Sequence, residues 1–112
     1  MNSYLVLVRG GGPGYAKLSE PEQQALYGKW GAYIEQLTKS GNWVKGQPID
    51  ESGRLLCDRR EPAEGVVGEP DVAVGGYFIL EAANYDEALK LCGTCPSIDI
   101  GGKLEIRQTV DM

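Results

Sequence analysis

The sequence predicts an α+β fold, the ferredoxin-like split βαβ arrangement with an antiparallel sheet. Two continuous apolar runs, residues 4–8 and 75–80, predict the two central strands. Each run precedes a segment whose apolar residues recur at helical spacing, and each such segment precedes a further strand. At 112 residues the chain has room for one domain, residues 1–112.

A long helix is predicted after the first strand. Residues 9–14 hold four glycines and a proline, which predicts a loop. Ser19 predicts a helix N-cap with Glu22 as its capping-box partner, and Gly41 predicts the end of a helix over residues 21–40. We interpret the aromatic residues on its apolar stripe as core packing. That stripe consists of Leu26, Trp30, Tyr33, Ile34 and Leu37.

The second half of the chain predicts three more strands and a shorter helix. Residues 43–49 contain a glycine and a proline, which favour an edge strand, and residues 55–59 predict another short strand. Asn84 predicts the cap of the second helix, and residues 103–110 alternate as a half-exposed strand does. The apolar stripe of the second helix consists of Tyr85, Ala88, Leu89 and Cys92.

Composition excludes several classes of function. The formal net charge of -5 opposes direct binding to nucleic acid, which needs a basic surface. No apolar run is long enough to span a membrane. The three cysteines suit neither a secreted disulfide framework nor, in a chain without histidine, a structural zinc site. We therefore expect a cytoplasmic protein with no metal and no cofactor.

The two central strands predict a homodimer. Both helices of a split βαβ unit pack on one face of the sheet, whereas residues 4–8 and 75–80 are apolar on both faces. A second copy of the chain is the simplest cover for the remaining face. This arrangement leaves a cleft beside each sheet in which a small molecule can bind.

Several short motifs carry a resemblance to a known family. They are Gly-Gly-Tyr-Phe-Ile-Leu-Glu-Ala at 75–82, Asp-Glu-Ala at 86–88, Cys-Pro at 95–96 and Gly-Gly-Lys-Leu-Glu-Ile-Arg at 101–107. In this register the chain resembles the YCII-related family, in particular its DGPF-like branch. The tetrapeptide that names the branch falls at 64–67, where Glu-Gly-Val-Val retains only the glycine.

The resemblance implies a single YCII-related domain that forms a dimeric α+β barrel. Some YCII relatives use a histidine and an aspartate for proton transfer, and a dehydrochlorinase of aromatic-ring degradation belongs to that group. This chain has no histidine, so their mechanism does not transfer unaltered. DGPF-like proteins are also associated with transcription initiation through their genomic neighbours.

Two further motifs favour structural roles. Cys92 and Cys95 form a C-x-x-C pair, but Cys92 lies in the last helical turn, where the helix dipole disfavours a thiolate. The glycines of residues 10–14 lack the lysine and the Ser/Thr of a phosphate-binding loop. We therefore interpret the first motif as packing with a helix stop, and the second as a rim loop.

Three functions stay open at this point. The first is binding of a small aromatic or carboxylated molecule, with four candidate ligand-binding residues. The second is cofactor-free proton transfer or elimination on a ring compound, with Glu64 or Glu69 as the base. The third is a regulatory interaction with another protein through the acidic surface. The ligand-binding candidates are Arg9, Tyr77, Glu105 and Arg107.

Overall fold

The computed structural model describes all 112 residues, and four of its strands form one antiparallel sheet in the order β2-β5-β1-β6. This order is that of a ferredoxin-like split βαβ fold, which confirms the predicted fold class. The elements are β1 (Asn2–Arg9), α1 (Gly11–Ala16), α2 (Glu20–Lys39), β2 (Trp43–Pro48), β3 (Arg54–Leu55), β4 (Ala63–Glu64), β5 (Val74–Ala82), α3 (Tyr85–Cys92), a 3-10 helix (Pro96–Ile100) and β6 (Lys103–Gln108).

Helix α2 begins at the predicted capping box. The Ser19 hydroxyl accepts from the Glu22 backbone N–H at 3.3 Å, and the Glu22 carboxylate accepts from the Ser19 N–H at 2.9 Å. Gly41 follows the helix with φ of +80°, a conformation that glycine adopts at little cost. None of the helices in the chain is both long and apolar enough to cross a membrane.

The core lies between one face of the sheet and the helices α2 and α3. Alternate residues of β1 and β5 point into it and are fully buried, among them Tyr4, Val6 and Leu80. Tyr33 of α2 and Cys92 of α3 pack on the same cluster. The two central strands are thus β1 and β5, as the apolar runs predicted, and both helices cover one face.

The other side of the sheet, which we call the open face, has no helix on it. At its centre Leu5, Leu7, Tyr77 and Ile79 are only half-buried. Charged and polar residues of the outer strands, and of the ends of the central strands, flank these four. The strand register places Ser3, Arg9, Lys45, Gln47, Glu81, Lys103, Glu105 and Arg107 on this same face.

The predicted loop over residues 9–14 is wrong, because Gly11–Ala16 form helix α1. The reason is close packing against the 3-10 helix. A Cβ atom at Gly14 would lie 1.8 Å from the carbonyl oxygen of Ile100, so only glycine permits this approach. Glycine is a poor helix former, and tertiary packing overrides that preference here.

A long excursion, which we call the arm (residues 49–73), connects the neighbouring strands β2 and β5. It contains one short hairpin, in which Arg54 and Leu55 of β3 pair with Glu64 and Ala63 of β4. The predicted strand over residues 55–59 is therefore wrong, since pairing ends at Leu55. No residue of the arm is buried. The radius of gyration is 15.3 Å, against about 13 Å for a compact domain of this length.

Candidate functional site

An aromatic cavity of about 430 Å³ lies between α1, α2 and the ends of β2 and β5. Its volume falls within the range of small-molecule sites, roughly 300 to 1,000 Å³. Apolar side chains and glycines form most of its wall. The aromatic residues among the lining are Tyr15, Tyr27, Trp30, Trp43, Tyr77 and Phe78.

Phe78 organises the inner wall of the cavity. Its side chain is 1% exposed, and the Trp43 ring stacks on it with a centroid separation of 5.4 Å and an interplanar angle of 21°. Trp30 meets Phe78 edge to face at 6.1 Å and 77°. Trp43 opens β2 and Trp30 projects from the apolar stripe of α2, so the sheet and the helix each supply one tryptophan.

Gly46 of β2 packs directly against Phe78, with no room for a side chain. A Cβ atom at Gly46 would lie 2.5 Å from the Phe78 Cβ and 2.7 Å from the Tyr77 carbonyl oxygen. Glycine in the middle of a strand normally weakens it, and its use here marks a close approach. The glycine that predicted an edge strand therefore also shapes the cavity wall.

The polar groups of the cavity are few and mostly uncharged. The hydroxyls of Tyr15 and Tyr27 hydrogen-bond to each other at 2.9 Å. This bond to Tyr27 raises the pKa of Tyr15 above its ordinary value, so the Tyr15 hydroxyl is protonated at neutral pH. Gln47 and Glu51 also line the cavity, and Glu51 is its one carboxylate. The wall therefore suits a ring compound whose oxygen atoms donate or accept hydrogen bonds.

Of the four predicted ligand-binding residues, only Tyr77 is among those lining the cavity, although the strand register directs its side chain to the open face. The other three meet on the open face, where the Glu105 carboxylate accepts from Arg9 Nε at 2.8 Å and from Arg107 Nη1 at 3.2 Å. These two bonds, the one from Arg9 first, hold the pKa of Glu105 below its ordinary value. Arg9 also donates to the Val72 carbonyl at 2.9 Å. The three residues bind one another and anchor the end of the arm.

The two predicted catalytic acids lie in the arm and do not line the cavity. Glu64 is exposed and forms an ion pair with Arg54 at 3.6 Å. The backbone carbonyl of Glu69 accepts from the N–H groups of Val72 and Ala73, which makes a turn there. Sequence reasoning missed Glu51, which lies between the predicted strands at 43–49 and 55–59 and belongs to no recognisable motif.

Sequence reasoning assigned Trp30 to the core, and it does pack against the core cluster, but it is only half-buried and also lines the cavity. Tyr33, on the same stripe, is 5% exposed and belongs to the core as predicted. The periodicity of a helix identifies its inner face but does not show where that face extends past the edge of the sheet. Two tryptophans within 14 positions of each other were the available signal.

The two cysteines of the C-x-x-C pair are free and buried. Burial is the main cause that raises the pKa of the Cys92 thiol to about 12 and that of Cys95 to about 11. Both are therefore protonated thiols at neutral pH, which supports the structural interpretation. Cys57 of the arm is free and exposed.

No protein-family model and no curated protein matches the chain. A solved structure with a similar fold is 5-chloro-2-hydroxyhydroquinone dehydrochlorinase (TftG) from Burkholderia phenoliruptrix AC1100, in complex with 2,5-dihydroxybenzoquinone. The two share 16% sequence identity with a TM-score of 0.58, over 96% of this chain and 93% of that chain. At this identity the similarity shows a common fold.

Proposed function

We propose that this chain is a YCII-related protein of the DGPF-like branch that binds a small oxygenated aromatic compound in the aromatic cavity. The observation that carries the proposal is the cavity itself, about 430 Å³ with aromatic side chains from both the sheet and the helices in its wall. Aromatic pairs gain about 0.5 to 1.5 kcal/mol beyond the burial of their area. Flat aromatic rings should therefore gain more binding free energy in this cavity than aliphatic molecules of equal size.

The family assignment rests on the motifs between residues 75 and 107 and on the fold shared with TftG. TftG was solved with 2,5-dihydroxybenzoquinone, a flat ring that carries oxygen atoms. The Tyr15 and Tyr27 hydroxyls are suited to such a ligand, because one O–H serves their mutual bond and the other can donate to a ring oxygen. We also propose a cytoplasmic location, which the three free cysteines support.

We further propose that the protein is a homodimer in which the open faces of two copies pack together. Leu5, Leu7 and Ile79 are partly exposed at the centre of this face, whereas most of the residues that alternate with them along the strands are fully buried. The molecule is only 18 Å thick in its shortest dimension. A second copy would shelter the apolar centre as the helices shelter the opposite face.

Fluorescence titration tests the binding proposal. Trp30 and Trp43 are the only tryptophans of the chain, and both line the cavity. We expect 2,5-dihydroxybenzoquinone and hydroquinone to quench the emission saturably. Loss of one stacking partner in Trp43→Leu should weaken binding about tenfold by calorimetry.

Tyr85→Leu is the matched control, because Tyr85 is an aromatic residue outside the cavity wall. Its affinity for both compounds should equal that of the unaltered protein. Binding that is absent for both compounds, or equally weakened in both variants, would contradict the proposal.

A second candidate function is elimination or proton transfer on a ring compound without a cofactor. TftG is a dehydrochlorinase, and Glu51 provides a carboxylate in the cavity wall. Under this function we expect Glu51→Gln to abolish turnover of 5-chloro-2-hydroxyhydroquinone while ligand affinity stays within about threefold. Glu64→Gln and Glu69→Gln test the two acids of the arm, and loss of turnover in either would assign the base to that acid instead.

A further inference from the structure

The arm exposes large apolar side chains that nothing in its own chain covers. Leu56 is 68% exposed, Val67 is 76% exposed and Val66 is 46% exposed. Single exposed apolar residues are ordinary on a protein surface, but these three all lie on the arm, which has no buried residue. Apolar residues concentrated in this way favour a packed partner surface.

The hairpin of the arm is also too small to be stable by itself. It has two residue pairs, and its two strands pack mainly on each other. An isolated two-stranded hairpin is marginal in water, and long connections in compact domains usually serve a function. A packed neighbour would supply the contacts that the arm lacks.

The charge of the arm indicates which surface it contacts. Between residues 49 and 73 the chain has seven acidic and three basic residues. The open face carries the opposite balance, with two acidic residues and four basic ones. Opposite charge of this kind steers two surfaces together and sets their orientation. The basic residues of the open face are Arg9, Lys45, Lys103 and Arg107.

We propose that the arm of each subunit packs along the charged margin of the second copy's open face, with Leu56 and Val67 buried in the contact. The inference rests on the homodimer proposed above and adds the element that holds it together. The arm begins at Ile49 and Glu51, and both line the aromatic cavity. Packing of the arm on the partner therefore fixes one wall of the cavity, and the dimer presents a more complete site than one subunit does.

Two exposed leucines provide a matched test by analytical ultracentrifugation. Leu56→Asp places a charge on the arm, and Leu89→Asp places one on α3, where the leucine is 56% exposed. A symmetric dimer contains each contact twice, so we expect Leu56→Asp to weaken the dimer about a hundredfold or more. Leu89→Asp should leave the dimer dissociation constant unchanged. Both positions are exposed, so both variants keep the buried core.

Hydrogen exchange of the unaltered protein gives a second measurement. Amides of residues 49–73 should exchange at least about tenfold more slowly above the dimer dissociation constant than below it. A stable dimer with an unaffected Leu56→Asp variant and an unprotected arm would overturn the arm contact while the homodimer stands. A chain that stays monomeric at all concentrations tested would overturn both. Ligand affinity in the monomer then tests the aromatic cavity separately.

Discussion

Tyr4→Phe should stabilise the protein, although it removes a polar group from a core tyrosine. Tyr4 is 0% exposed, and no protein atom accepts or donates a hydrogen bond at its hydroxyl. Its ring packs edge to face on Tyr85 at 5.0 Å, a contact that phenylalanine retains. The substitution therefore deletes one desolvated oxygen and leaves the packing in place.

The magnitude follows from the cost of an unsatisfied buried group, about 1 to 3 kcal/mol. Local adjustment of the folded state already offsets part of this cost. We therefore expect Tyr4→Phe to raise the free energy of unfolding by about 1 kcal/mol. For a domain of this size such a gain raises the melting temperature by about 4 °C. Urea unfolding at a fixed protein concentration should show a higher midpoint with the same slope.

Tyr33→Phe is the matched control from the same cluster. Tyr33 is 5% exposed, and its hydroxyl donates to the Leu91 carbonyl at 2.8 Å. Removal of this donor leaves a carbonyl without its partner and should cost about 1 to 2 kcal/mol. The two substitutions are predicted to have opposite signs. Equal destabilisation by both would refute the reasoning and would indicate a buried water bound to Tyr4.

Two other predictions concern backbone packing and pH. Gly14→Ala should cost about 2 kcal/mol or more by urea unfolding, because its Cβ overlaps the Ile100 carbonyl, whereas Gly12→Ala meets no atom within 4 Å and should gain up to about 1 kcal/mol. Equal changes in unfolding free energy for Gly14→Ala and Gly12→Ala would contradict the close packing of α1 on the 3-10 helix. The lowered pKa of Glu105, due first to Arg9, stabilises the fold above the ordinary carboxyl pKa of about 4.3, and this stabilisation is lost as pH falls through the lowered value. The free energy of unfolding of Glu105→Gln should therefore fall less steeply below about pH 4.3 than that of the unaltered protein. Equally steep declines in the two proteins would show that this ion cluster does not contribute to the loss of stability in acid.

The sheet and its main helix could be predicted because their signals are local. An uninterrupted apolar run needs cover on both faces, which places residues 4–8 and 75–80 at the centre of the sheet. The capping box at Ser19 and Glu22 specifies a helix start through two hydrogen bonds within four residues. Helix α1 was missed because its formation depends on contact between Gly14 and Ile100, which lie far apart in sequence.

The cavity could be predicted only as a general location. Tyr77 was chosen because it begins an apolar strand near the expected cleft, and it does line the cavity. The charged candidates Arg9, Glu105 and Arg107 pair with one another instead, because a carboxylate on one strand lies within reach of both guanidinium groups. Tyr15 and Tyr27 were missed because their hydroxyls meet only at the observed angle between α1 and α2. The periodicity of apolar residues does not predict that angle.

The arm leaves and rejoins the sheet at adjacent points, since the Ile49 N–H donates to the Gly75 carbonyl at 3.0 Å. A tight hairpin between β2 and β5 would satisfy the same geometry. Lengthening a segment tethered in this way costs little entropy, about 0.6 kcal/mol for each doubling. Strand register is thus independent of the 25 intervening residues, and a graft or deletion there can exchange one recognition element for another without rebuilding the sheet.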